Sequence, residues 1–103
     1  MIVRTWHGCV PLRHAEGFAT HLQKTGVEHS EGTPGNLGAR VRRETQGEWE
    51  HFFLATYWEN VEAIKAFAGD KYQIAVTYPD DEQFELLSDP YVFQHQVQKV
   101  MPL

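Results

Sequence analysis

The chain has 103 residues, 42% of them hydrophobic and 13% aromatic, with a formal net charge of −5. That length holds one hydrophobic core and not two, so residues 1–103 are expected to form a single domain. The aromatic content excludes a disordered chain, and the acidic balance argues against nucleic acid or an anionic membrane as partner.

Residues 2–10 are β-branched, aromatic or small, which predicts a first strand, and Pro11 closes it by removing a backbone donor. The chain enters this strand directly, without an apolar core of signal-peptide length, and no stretch approaches membrane-spanning length. Cys9 is the only cysteine, which leaves no intramolecular disulfide and no thiolate cluster for zinc. A soluble cytoplasmic protein is expected.

Ala15, Phe18, Ala19 and Leu22 then recur at helical spacing, with Gly26 as the predicted stop and residues 28–36 as a loop. The breakers Thr33-Pro34-Gly35-Asn36 mark a turn before a second strand over residues 39–44, and Gln46-Gly47 makes the next turn. Residues 49–58 form the strongest predicted strand. Asn60 should cap a helix whose apolar positions are Val61, Ile64, Phe67 and Ala68, ended by Gly69. Asp70 is expected to cap a further short helix through Tyr72, Ala75 and Val76, stopped at Pro79. After a turn at Asp89-Pro90, residues 91–100 are the predicted last strand.

Strand, helix, strand, strand, helix, strand is the α+β, ferredoxin-like βαββαβ order: a four-stranded antiparallel sheet with two helices on one face. Alternation along residues 49–58 sends His51, Phe53, Ala55 and Tyr57 one way and Phe52, Leu54, Thr56 and Trp58 the other. Both sets are substantially apolar, while helices cover only one face. A second copy packed sheet to sheet, a homodimer, is the simplest cover for the other.

Trp6-His7-Gly8-Cys9-Val10-Pro11, Thr33-Pro34-Gly35-Asn36 and Tyr57-Trp58-Glu59-Asn60 running into Ala63-Ile64-Lys65-Ala66-Phe67-Ala68-Gly69 resemble the antibiotic biosynthesis monooxygenase family of the dimeric α/β-barrel superfamily. Val76-Thr77-Tyr78-Pro79-Asp80-Asp81-Glu82 and Phe93-Gln94-His95-Gln96-Val97 look like the close of a bacterial branch of that family. The resemblance covers nearly the whole chain. It implies a dimer whose sheets form a shared barrel, with a pocket in each subunit between sheet and helices. It also implies a cofactor-independent monooxygenase acting on an aromatic or quinol-like molecule, the alternative being a non-catalytic dimer that binds a small apolar ligand. Other members degrade haem; aligned on the Trp58 motif, their haem-ligating His falls near Val76, which cannot bind iron. No cofactor and no metal are expected.

Candidate site residues follow from residue chemistry. If the first and last strands pair with Trp6 opposite Gln96, His7 lies across from His95, and two imidazoles at that distance suit acid–base chemistry; packing in the dimer seam is the alternative. Tyr72 is a third catalytic candidate. Trp6, Trp58 and Phe67, with Arg42, are candidates for binding a planar substrate, although aromatics at these spacings also serve as plain core. Cys9 has no orienting third group and suits a small buried position. His14 and His21 share a helix face without carboxylates at metal-binding spacing and are expected to be exposed. Gly35 and Gly38 precede a strand rather than a helix, so they are not a phosphate loop.

Overall fold

The computed structural model describes residues 1–97. The predicted last strand over residues 91–100 therefore lies partly outside the described residues.

β1 (Ile2–Pro11) is followed by a short 3-10 turn and by α1 (Ala15–Leu22). β2 (Asn36–Gln46) and β3 (Trp49–Trp58) form a hairpin through Gly47, whose φ of 58° only glycine adopts without strain. α3 (Val61–Ala68) begins at Asn60, whose side-chain oxygen accepts a hydrogen bond from Ala63 N–H at 2.9 Å, and ends at Gly69 with φ 87°.

The sheet is antiparallel, in the order β2-β3-β1, and its fourth position is filled by two short strands in line. β4 (Leu87–Ser88) pairs with Gly8 and Cys9, and β5 (Phe93–Gln96) pairs with residues 2–5. The ferredoxin-like architecture holds, with the last strand broken by Asp89-Pro90.

Alternation decides the layers. Along β3, Glu50, Phe52, Leu54, Thr56 and Trp58 are buried while His51, Phe53, Ala55 and Tyr57 are half-buried. The buried set faces the helices. Val10, Phe18, Leu22, Phe52 and Leu54 form one core cluster; Ile2, Trp58, Ile64 and Phe67 form a second. Each such side chain contributes about 1.5–3 kcal/mol through burial.

Three sequence expectations are corrected. Gly26 does not stop the first helix: the chain widens into a π turn (Gln23–Val27) and continues as α2 (Glu28–Glu31), so the expected loop is partly helical. The reason is packing, because Gly26 is pressed against Leu54 and Leu22 inside the core rather than standing free at a helix end. The expected helix after Asp70 is absent. Its backbone groups go instead to the break in the sheet edge: Ala75 N–H donates to Pro90 O at 3.0 Å, Val92 N–H to Gln73 O at 2.9 Å, and Ile74 bridges Tyr91. Tyr72, Ala75 and Val76 still pack inward, which explains why their spacing imitates a helix.

The third correction is register. Val3, not His7, lies opposite His95, because β5 pairs with the start of β1 while β4 occupies the edge beside Gly8. Four residues of strand, roughly 13 Å, separate the two histidines along β1.

Candidate functional site

β1 sends Arg4 and Trp6 toward the helices, where Phe18 and Leu22 of α1, Leu54 of β3, Phe67 of α3, and Val76, Tyr78 and Asp81 complete a pocket. Its cavity is about 30 Å3, room for no more than about two water molecules. The Trp6 indole lies flat across Gly8, where a Cβ would meet Trp6 Cζ2 at 2.5 Å. Its Nε1–H donates to Ser88 Oγ at 2.8 Å, so β4, paired beside Gly8, holds the same edge of the ring. Glycine at position 8 is therefore what lets the ring reach the pocket.

Arg4 is 4% exposed and, among the described residues, forms no ion pair. Nη2 donates to Ile74 O at 3.1 Å and more weakly to Tyr72 O at 3.5 Å, while Nε has no partner. The guanidinium carbon stands 5.5 Å from the centre of the Phe67 ring. Burial pushes its pKa down to about 10, with Tyr78 acting slightly the other way, so Arg4 stays charged near neutral pH.

The strap Pro79–Phe84, a 3-10 turn, closes the pocket along the first helical run. His14, His21 and His29 lie on one side of that run, and each meets the strap or the residue flanking it at either end. His14 Nε2 bonds Glu85 at 2.9 Å, His21 Nε2 bonds Asp81 Oδ1 at 2.7 Å, and His29 Nδ1 shares a 2.8 Å hydrogen bond with the Tyr78 hydroxyl. Arg13 joins His14 on Glu85. Asp81 Oδ2 accepts from Tyr78 N–H at 2.9 Å, and Gly17 lets the Phe84 ring approach α1. Burial first, then Asp81, pushes the Tyr78 phenol up to about 12. Among the described residues, no backbone hydrogen bond ties residues 76–86 to helix or sheet. Side chains alone hold the strap down.

The sequence-predicted residues divide among four places. Trp6 and Phe67 line the pocket together. Trp58 is wholly buried in the second core cluster, its Nε1–H on Thr56 Oγ1 at 2.8 Å. Tyr72 and His95 share a shallow groove at the sheet edge. His7 and Arg42 lie on the open sheet face, in a groove of about 550 Å3 that Phe53, Tyr57, Tyr91 and Phe93 also line. The expected His7–His95 pair does not form. His7 instead bridges Asp89 Oδ2 at 3.0 Å and His51 Nδ1 at 2.8 Å. Cys9 is half-buried on the same face, its thiol pushed up by burial and by Asp89. His21, expected in solvent, has a side chain only 11% exposed.

Sequence reasoning missed Arg4, Asp81 and the three strap-binding histidines. Parity carried the signal for Arg4, which alternates with Ile2, Trp6 and Val10 on the helix-facing side of β1. Nothing local marks Asp81, because its partner is 60 residues away.

The architecture has relatives among solved structures. One, a point variant of MhuD with two manganese protoporphyrin IX molecules bound per active site, is 20% identical, with a TM-score of 0.65 over 99% of this chain and 99% of that one. Another, a 1.40 Å crystal structure from Deinococcus radiodurans described as a candidate antibiotic biosynthesis monooxygenase, is 16% identical, with a TM-score of 0.62 over 100% of this chain and 98% of that one. The chain has their fold. No family model matches the sequence, and no curated protein matches it.

The pocket offers no imidazole to a haem iron: Val76 stands in its wall, and no histidine is among its described lining residues. Among the described residues, no group of three or more His, Cys, Asp or Glu side chains is placed to hold a metal ion.

Proposed function

We propose that the chain is a member of the antibiotic biosynthesis monooxygenase family, a homodimeric, cofactor-independent monooxygenase of an aromatic or quinol-like molecule bound between sheet and helices. The observation that carries this reading is the Asp81–His21 pair, joined at 2.7 Å, beside a cavity walled by Trp6, Phe18 and Phe67. The sequence resemblance and the shared fold support it.

In this scheme Asp81, oriented by His21, takes a proton from an acidic methylene of the substrate. The resulting carbanion gives its electrons to dioxygen, a C–O bond forms, and the hydroperoxide loses water. The sum is CH2 + O2 → C=O + H2O: one oxygen atom enters the carbonyl and the other leaves as water. The walls exclude solvent and orient the ring. Packing of two open sheet faces would cover Phe53, Tyr57, Tyr91 and Phe93, the last two 63% and 72% exposed in the single chain.

The test is oxygen uptake with anthrone, which has an acidic methylene, and light scattering for mass. A catalysed rate that falls at least ~100-fold in Asp81→Asn is expected, in line with the usual worth of a general base. Binding without oxygen uptake would leave a non-catalytic ligand-binding dimer instead, and a monomer mass at micromolar concentration would remove the dimer.

A further inference from the structure

Arg4 is a cation in a place built for hydrocarbon. Its neighbours on the same side of β1 are Ile2, Trp6 and Val10, all buried. A guanidinium brings five N–H donors and a charge that cannot be shed near neutral pH, and burying it without an anion is costly. Here the donors find only backbone oxygens, Ile74 O at 3.1 Å and Tyr72 O at 3.5 Å, and Nε finds nothing.

The polar groups around it are already engaged. Asp81 is the carboxylate on the pocket wall, but Oδ1 accepts from His21 and Oδ2 from Tyr78 N–H. The Tyr78 hydroxyl is held by His29. Among the described residues of the wall, Arg4 is the one cation, and it forms no ion pair. Flat apolar surfaces surround it, with Phe67 under the guanidinium and the Trp6 and Phe18 rings 6.3 Å apart.

We infer that the ligand of this pocket is an organic anion on a flat ring, a carboxylate or an ionised phenol, and that Arg4 is its counter-ion. The inference deepens the proposed function and rests on its placing of the ligand between sheet and helices. A carboxylate or phenolate oxygen accepts from Nε and a terminal nitrogen together, a geometry for which the guanidinium fork is pre-shaped. The cavity of about 30 Å3 admits such a head group but not a ring. The ring enters as the strap lifts, with no backbone ladder to break, and the Asp81–His21 and Tyr78–His29 contacts re-form as the strap settles over it.

The experiment measures quenching of tryptophan fluorescence by three probes of one shape: 2-naphthoate, 2-naphthamide and 2-naphthol. Near neutral pH the first is charged and the others are neutral. Naphthoate should bind at least tenfold more tightly than naphthamide. Naphthol affinity should rise with pH as the phenol ionises if the site takes phenolates, and stay flat if it takes only carboxylates; either result keeps the inference. Arg4→Met should erase the naphthoate preference, and Arg4→Lys should keep part of it, with circular dichroism confirming the fold of each.

Equal binding of naphthoate and naphthamide to the parent protein, no binding of naphthoate, or a preference that survives in Arg4→Met would overturn it. These measurements need no turnover. Anion preference without oxygen uptake would sink the monooxygenase and leave Arg4 its role; oxygen uptake without anion preference would do the reverse.

Discussion

The two faces of one sheet, built from similar residues, are buried to different depths. The helix-facing side of β1 and β3 carries Val10, Phe52 and Trp58, each fully buried, and packs tightly except beside Arg4 and Trp6. The open side carries residues of the same chemistry, Phe53, Ala55 and Tyr57, but leaves them half-buried around a groove of about 550 Å3. Alternation along a strand is the whole cause, since neighbours in sequence point to opposite layers. The lesson is that hydrophobicity alone does not say in which layer, and how deeply, a position is buried.

Substitutions can break that contrast. The largest effect should come from Phe18→Ala, which empties a site 2% exposed between Trp6, Phe52 and Phe84, and should cost about 3–5 kcal/mol in urea unfolding. Phe53→Ala, one layer away, should cost the monomer less than Phe18→Ala, because its ring is only half-buried, yet weaken self-association in sedimentation. A comparable stability loss from both would erase the contrast. Gly8→Ala should cost about 1–3 kcal/mol, because the new methyl collides with the Trp6 indole at 2.5 Å. The emission maximum of that tryptophan should shift as the ring is displaced.

Thr56→Val sharpens the comparison from within the buried layer. Thr56 accepts from Trp58 Nε1–H, and its loss leaves that donor unsatisfied at about 1–2 kcal/mol. The smallest effect is at the rim. Arg43 bonds Glu16 and Glu50 and holds the Glu16 carboxyl below the usual carboxylate range; Thr45 first and then Arg43 do the same to Glu50. Carboxyls whose pKa is lowered by folding add stability above their unfolded value, and lose it as pH falls through the folded one. Thermal unfolding of Arg43→Gln should therefore show a lower Tm than the parent at neutral pH, with a gentler decline below about pH 4.5.

Much of the fold was legible because it is local. Strand alternation, the Asn60 cap, the Gly69 stop and the Gly47 turn each depend on a few adjacent residues, and all stand where the periodicity puts them. Of the aromatics read as possible ligand contacts, Trp6 and Phe67 line the pocket while Trp58 is plain core, a difference that residue type and strand parity do not distinguish. The fate of Gly26 was not legible either, because burial against Leu54 overrides its preference for a helix end. Likewise, Tyr72, Ala75 and Val76 carry helical spacing, but their backbone partners are Pro90 and Val92, residues no local window contains.

By itself, then, the sequence determined the order of elements, the two apolar faces and the α+β architecture, because propensity and alternation act over a few residues. Only the tertiary structure decided the site. The β1–β5 register moved His95 away from His7, while the β1–β3 and β1–β4 pairings set His51 and Asp89 beside it. The strap brought Asp81 to His21 and Tyr78 to His29, and closure of the layers left Arg4 charged and uncompensated in the core. Those contacts join residues 44 to 82 positions apart, where the energy of pairing depends on how whole layers settle.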